Sequence, residues 1–338
     1  MVDVFTILYV GAVPQQIRDE LAARLPHGFC LTFLDDAGDD AARNAMLRQT
    51  DFLLGFPRDF GEELAVMPRL KLVQLLSAGY DDFNVEAATR RGVPVANNGG
   101  ANKVAVAEHT LLLILALYKR LWQHHSTLQQ GRWLRETEHP LHLFELAGKT
   151  VGLIGFGNIG QALAQRLQAF EATICYFDVL RYPAAETTLN AEYVSLEELL
   201  SRSDVVSIHV PYTPSTENLI GRRELRLMKP SALLINTARG RIVDEDALYD
   251  ALTTHTIAGA GLDVFAHEGA IQRGTHTSPL FTLNNVVVTP HYAGHTFDTW
   301  LRRIEIGYQN IAQTAIGKDP QYVVNPEVLS PHKRRGGV

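Results

Sequence analysis

Residues 150–170, TVGLIGFGNIGQALAQRLQAF, pass from an apolar run into a helical pattern through Gly155-x-Gly157-x-x-Gly160. The run before the glycines reads as a buried strand. After them Ile159, Ala162, Leu163, Leu167 and Phe170 recur on one side of a helix. In such a unit the first glycine permits the tight turn, the second lets the backbone approach a pyrophosphate, and the third lets the helix pack on the strand. The helix N-terminus, with Asn158 and Ile159, then faces the phosphate charge. A chain built around this unit is drawn toward a parallel sheet with crossover helices.

The flanking sequence repeats that alternation. Before the glycine turn come ILYVG (7–11), PQQIRDELAARL, FCLTFL, a helical pattern near 39–49, DFLLGF, GEELAVM, KLVQLLSAG (71–79), NVEAATRRG and VPVANN, which make one α/β domain. A helical segment from 103 to about 125 follows. Its run AVAEHTLLLILALYKRL is apolar almost all round, which predicts burial at a domain or subunit contact. Then come six strand-like runs: TVGLIG, ATICYFD, DVVSIHV, ALLINTA, IAGAGLDV and NVVVTP. They match a complete dinucleotide fold, with a capping box Ser195-Leu196-Glu197-Glu198 in the third connection. An apolar-patterned helix, 300–316, and the segment DPQYVVNP close the pattern. The 338 residues suffice for about two domains.

Composition excludes several roles. A formal net charge of −6 gives no footprint for nucleic acid or an anionic membrane surface. The basic His332-Lys333-Arg334-Arg335 reads as part of a flexible tail, 331–338. The longest apolar run, LLLILALY, falls short of the ~18 residues that span a bilayer, and the N-terminal stretch lacks the basic and apolar regions of a signal peptide. Cys30 and Cys175 lie in strand-like runs and read as buried thiols in a reducing compartment, so a cytoplasmic location is expected.

The strand ends carry the chemistry. Asp178 ends the strand after the glycine turn, 18 residues past Gly160 (178 − 160), close to the ~20 expected of the acid that binds a ribose 2′-hydroxyl and repels a 2′-phosphate. Arg181 nearby leaves some NADP use open. Arg239 follows ALLINTA, Glu268 follows GAGLDVF, and His291 follows VVVTP. Three loops thus bring an arginine, a carboxylate and an imidazole to one face of a sheet whose ligands bind outside the strand ends. Arg239 presents a planar fork to a substrate carboxylate, and His291 can donate a proton to a carbonyl oxygen as hydride arrives at its carbon. Glu268 favours the imidazolium and holds its tautomer. His267 and His295 are rival partners. HYAGH lacks the spacing of a helical HExxH site, and no metal is expected.

These residues fall within seven blocks that occur in order: LLSAGYDDF (75–83), ANNGGANKVAVAEHT (96–110), LAGKTVGLIGFGNIG (146–160), SDVVSIHVPYTPST (203–216), LLINTARGRIVDEDAL (233–248), AGLDVFAHE (260–268) and TPHYAGHT (289–296). The chain resembles the D-isomer-specific 2-hydroxyacid dehydrogenases along nearly its whole length. The resemblance implies two lobes: a flavodoxin-like substrate domain of 1–98 plus 296–330, and a Rossmann NAD-binding domain of 99–295 inserted in it. Hinges are implied near Asn98–Ala101 and His291–Thr296. It further implies that the loop Ser77, Ala78, Gly79 and Arg239 grip the substrate carboxylate, and that Glu268 and His291 are the acid/base pair. Asp263 is implied to contact the nicotinamide carboxamide, Thr237 and Ala238 to touch the cofactor beside Arg239, and His209, Val210 and Pro211 to line the adenosine side.

The implied activity is NAD-dependent reduction of a small 2-oxo acid such as glyoxylate, hydroxypyruvate or pyruvate; the apolar helix after Lys103 suggests a homodimer, and neither a nucleic-acid nor a membrane partner is expected. Two alternatives share the resemblance: an NAD(H)-sensing, corepressor-like binding protein, and a D-3-phosphoglycerate dehydrogenase without its regulatory domain. Glu268 stands where related formate dehydrogenases carry glutamine, and Ala78 where phosphite dehydrogenases carry lysine, which argues against both substrates. Gly269 departs from the proline common in the family after the glutamate, so the loop from Gly269 to Pro279 is expected to be more mobile.

Overall fold

The computed structural model describes residues 4–58, 60–133 and 143–329; the basic tail lies outside them. The chain forms two compact units, Met1–Asn102 with Thr296–Val338, and Lys103–His295. The first crossing thus falls four residues beyond the expected one (102 − 98).

The first unit runs β1 (Phe5–Val10), α1 (Gln15–Ala23), β2 (Phe29–Phe33), α2 (Asp40–Gln49), β3 (Phe52–Gly55), β4 (Leu72–Leu75), α3 (Val85–Arg90) and β5 (Val95–Ala96). Its strands are all parallel in the order β2-β1-β3-β4-β5, the flavodoxin-like arrangement. FLLG and LVQL carry no polar alternation because β3 and β4 are buried on both faces. Only the first part of KLVQLLSAG is strand, and Ser77–Gly79 form the loop beyond it.

The second unit opens with α4 (Lys103–Lys119) and α5 (Leu121–Gln129). The single helix expected to about 125 is broken at Arg120, whose φ of 46° lies in the left-handed region. One side of α4 is buried within its own unit. Leu113, Ile114 and Leu117 are buried with Val151, Leu153, Leu233 and Ile235 of their own unit. That side is apolar because it covers the unit's sheet.

There follow β6 (Thr150–Ile154), α6 (Asn158–Gln168), β7 (Thr173–Phe177), α7 (Pro183–Leu189), β8 (Ala191–Tyr193), α8 (Leu196–Arg202), β9 (Val205–Ile208), α9 (Arg222–Leu227), β10 (Leu233–Asn236), α10 (Glu245–Thr253), β11 (Gly259–Leu262), α11 (Glu268–Gln272) and β12 (Val286–Val288). All seven strands are parallel, in the order β12-β11-β10-β9-β6-β7-β8. The sequence runs account for six; β8 is the addition, a three-residue edge strand after Asn190, which turns the chain at φ 48°. Half of the expected capping box forms. Ser195 caps α8 by accepting from the Glu198 amide, but the Glu198 carboxylate pairs with Arg202 instead of the cap backbone.

The chain then returns to the first unit as α12 (Phe297–Ala315), capped by Thr296. Trp300, Ile304, Tyr308 and Ile311 are buried with Ile7, Phe52, Leu54 and Leu72. Cys175 is buried as expected, Cys30 is only partly so, and both are free thiols. Among the described residues no helix is long and apolar enough to cross a membrane.

Candidate active site

In the second unit the strand order reverses between β6 and β9, where an open α/β sheet leaves its ligand crevice. The glycine turn lies there. Gly155 has φ +99°, and a side chain on it would meet the His209 carbonyl at 2.7 Å, so the loops after β6 and β9 touch backbone to backbone. A Cβ on Gly160 would lie 2.3 Å from the Gly155 oxygen, so α6 packs onto the turn itself. Gly157 differs: a Cβ there meets nothing within 4 Å. The backbone is therefore open where a pyrophosphate would approach. Among the described residues the amides of Asn158, Ile159 and Gly160 have no acceptor at the N-terminus of α6. A dinucleotide fits this cradle.

Asp178 stands just beyond β7 and ties the turn to that strand, one carboxylate oxygen accepting from the Phe156 amide at 2.7 Å and the other from Leu180 at 3.1 Å. Beyond β9, Nε2 of His209 bonds Ser207 at 2.9 Å, while its Nδ1 is buried without a partner among the described residues. Burial drives the imidazole pKa down to about 3, so it is neutral and suits an uncharged contact. Val210 and Pro211 continue this loop.

The ends of β10, β11 and β12 form the second group. Asn236, buried at the end of β10, accepts from the Ala238 amide at 3.0 Å and donates to the Arg239 carbonyl at 2.9 Å, which shapes the Thr237–Arg239 turn. Next to it Gly240 leaves no room for a side chain, since a Cβ would fall 1.9 Å from the Phe265 carbonyl carbon. The loops carrying Arg239 and Glu268 are thereby pressed together. His291 Nδ1 lies 2.8 Å from Glu268 Oε2, and Glu268 Oε1 accepts from the Phe265 amide at 3.0 Å. Burial alone would raise the Glu268 pKa. The hydrogen bond and charge of His291, the Phe265 amide and the Arg239 charge outweigh it and hold the carboxyl below its ordinary range. With Nδ1 committed, Nε2 is the ring nitrogen left to exchange a proton with a substrate.

Asp263 does more than its expected contact requires. It is fully buried; one oxygen accepts from Thr289 Oγ1 and the Tyr292 amide, the other from the Ala293 amide, and its carbonyl accepts from the His291 amide at 2.7 Å. This carboxylate fixes the segment that carries His291. His109 on α4 completes the support, its Nε2 lying 2.9 Å from Thr289 Oγ1. Sequence reasoning overlooked His109, Thr289 and Asn236. The signal for His109 was present, an imidazole inside the apolar run AVAEHTLLL.

The rival histidines face other partners: His267 packs on His276 with ring centres 5.0 Å apart, and His295 on Tyr292 at 5.5 Å. Gly269 lies within α11, so the segment after Glu268 begins as a short helix. In the first unit, the carbonyls of Ser77, Ala78 and Gly79 accept from the Asn98 amide, Asn97 Nδ2 and Ser77 Oγ respectively. Their N–H groups have no acceptor among the described residues, the arrangement of a loop that offers donors to an anion. Thr237 Oγ1 is held by Thr110 at 3.1 Å.

A glycine turn at the switch point of a parallel sheet, with a guanidinium and a carboxylate–imidazole pair on neighbouring strand ends, defines a dinucleotide-dependent oxidoreductase of hydroxy or oxo acids. Residues 111–293 match the family model described as D-isomer specific 2-hydroxyacid dehydrogenase, NAD binding domain. A glyoxylate reductase of Thermococcus litoralis is 40% identical over 290 residues, 84% of this chain and 86% of the relative. One from Aeropyrum pernix is 43% identical over 270 residues, 79% of each chain. The crystal structure of D-lactate dehydrogenase from Aquifex aeolicus complexed with NAD and lactic acid is 30% identical, with a TM-score of 0.77 over 96% of this chain and 97% of that one. The chain belongs to the D-isomer specific 2-hydroxyacid dehydrogenases. It is an NAD-dependent oxidoreductase that interconverts 2-hydroxy and 2-oxo acids.

Proposed function

We propose that the chain works as a reductase of small 2-oxo acids, with glyoxylate foremost and hydroxypyruvate and pyruvate as further substrates. The observation that carries this reading is the 2.8 Å Glu268–His291 pair beside Arg239, in a chain about 40% identical to glyoxylate reductases. NADH held at the glycine turn would supply the hydride for carbonyl reduction. His291 donates the Nε2 proton to the carbonyl oxygen, and Glu268 stabilises the imidazolium before transfer and fixes the ring tautomer. Arg239 pairs with the substrate carboxylate and polarises the adjacent carbonyl. The cofactor contacts are assigned to Gly155, Gly157, Asn158, Ile159, Gly160, Asp178, His209, Val210, Pro211, Thr237, Ala238, Arg239, Asp263 and His291. Oxidation of NADH, followed at 340 nm over a panel of 2-oxo acids, tests the reading. Glyoxylate should give the highest kcat/KM, and a panel without turnover on any of the three acids would overturn it.

The same reading includes a homodimer in the cytoplasm. Leu112, Leu121, Leu128 and Trp133 are exposed on or just after α4 and α5, apolar side chains of the kind an obligate partner covers. Light scattering on the purified chain distinguishes one copy from two. The two free thiols suit a reducing compartment.

A further inference from the structure

We propose that Glu186 sets the cofactor preference of this enzyme by holding Arg181 away from the 2′-phosphate that separates NADP from NAD. The inference rests on the reading of Asp178 as the ribose-binding acid. Arg181 stands three residues beyond Asp178, in the turn after β7 where a guanidinium accommodates a 2′-phosphate in folds of this type. Here both prongs of its fork are taken. Arg181 Nε donates to Glu186 Oε1 at 2.9 Å and Nη2 to Oε2 at 3.0 Å, a bidentate pair that matches the planar geometry of both groups.

The partner is itself anchored. Tyr176 Oη donates to Glu186 Oε1 at 2.7 Å and accepts from the Tyr182 amide at 2.9 Å, so Glu186 is fixed to β7 and to the turn that leads into α7. Its side chain is 15% exposed against 63% for Arg181. The anchored carboxylate thus retains the more exposed guanidinium, which also lies 5.6 Å from the Tyr193 ring. Asp178 opposes a 2′-phosphate by repulsion, and Glu186 adds to that by withholding the nearby positive charge able to answer it.

Glu186→Gln separates the two effects, because the amide oxygen still accepts from Tyr176 while the charge that retains Arg181 is gone. NADH and NADPH are titrated by cofactor fluorescence into the wild type, Glu186→Gln, Arg181→Ala, the double variant and Asp178→Asn. Glu186→Gln should improve the NADPH/NADH affinity ratio about fivefold, the scale on which an exposed ion pair competes. Arg181→Ala should leave that ratio within about twofold in the wild-type background yet erase the gain in Glu186→Gln. An unchanged ratio in Glu186→Gln, a gain that survives in the double variant, or a parallel loss of both cofactors overturns the proposal. If Asp178→Asn leaves both affinities as they were, the ribose assignment itself fails, whatever Glu186 does.

Discussion

His291 has a φ of +57°, in the left-handed region that side chains seldom adopt, although histidine enters it more readily than branched residues do. It is over-determined there: Asp263 takes the amides of His291, Tyr292 and Ala293, and Glu268 takes the ring. The backbone of the segment is held by the Asp263 carbonyl and carboxylate and the imidazole by the Glu268 carboxylate, so the ring contact can be tested alone. Glu268 is held below its ordinary range and stays ionised to lower pH than a free glutamate does. Its charge is therefore present throughout neutral pH. Glu268→Gln removes that charge, which should bring the alkaline fall in carbonyl reduction to lower pH and let hydroxy-acid oxidation persist to lower pH. His291→Asn should bind NADH yet lose roughly a hundredfold or more in turnover, the scale of a missing general acid. Profiles of Glu268→Gln and wild type that overlay would remove Glu268 from the pair. The pair was legible because each member follows a strand-like run, at positions 23 apart that neighbouring parallel strands bring together. The support from Asp263 was not, since it acts through backbone amides, which leave no mark in the sequence.

At the scale of elements, the glycine turn divides its work among three positions that the sequence pattern cannot rank. Gly155 and Gly160 are closed by backbone within 3 Å, while Gly157 opens to empty space. Gly160→Ala should therefore act on stability. Overpacking against the Gly155 carbonyl costs about 1–3 kcal/mol, each kcal/mol lowering Tm by roughly 2–4 °C for a unit of this size. Gly157→Ala has an unexceptional φ of −74° and no neighbour to displace, so Tm should hold while NADH affinity falls. Thermal melting with and without NADH reads both effects, and a Gly157→Ala protein with unaltered NADH affinity would place the pyrophosphate elsewhere. The strand and helix pattern showed that this turn exists, and much else at this scale. It did not show β8, with two of its three residues exposed and no apolar run to announce it. Nor did it show the break between α4 and α5, because an arginine in the left-handed conformation is not a turn signal.

At the scale of the whole molecule, the first unit is assembled from the two ends of the sequence. The periodicity of 300–316 marks α12 as amphipathic but not which sheet it covers; that expectation came from the resemblance and not from the residues. The structure supplies the contacts. Tyr308 Oη donates to the Leu21 carbonyl at 2.7 Å across 287 residues, and Asn310 Nδ2 donates to the buried Gln74 side chain at 2.8 Å. Asn325 accepts from the Val95 amide at 2.7 Å and donates to the Val93 carbonyl at 3.0 Å, closing the β5 edge where Val323 also bridges Ala96. A chain ending at His295 would lack Trp300, Ile304, Tyr308 and Ile311 and expose the apolar faces of β1, β3 and β4 that they cover. Losses of about 2–5 kcal/mol for each large core side chain exceed what a marginally stable unit can bear. The second unit keeps its own core clusters intact in such a chain. The expected outcome is a protein whose residues 1–102 exchange amide hydrogens as an unfolded segment, while residues 103–295 stay protected and bind NADH without reducing any 2-oxo acid. Substantial turnover in the truncated chain would show that the first unit holds its fold without α12, and loss of protection throughout would show that the two units fold only together.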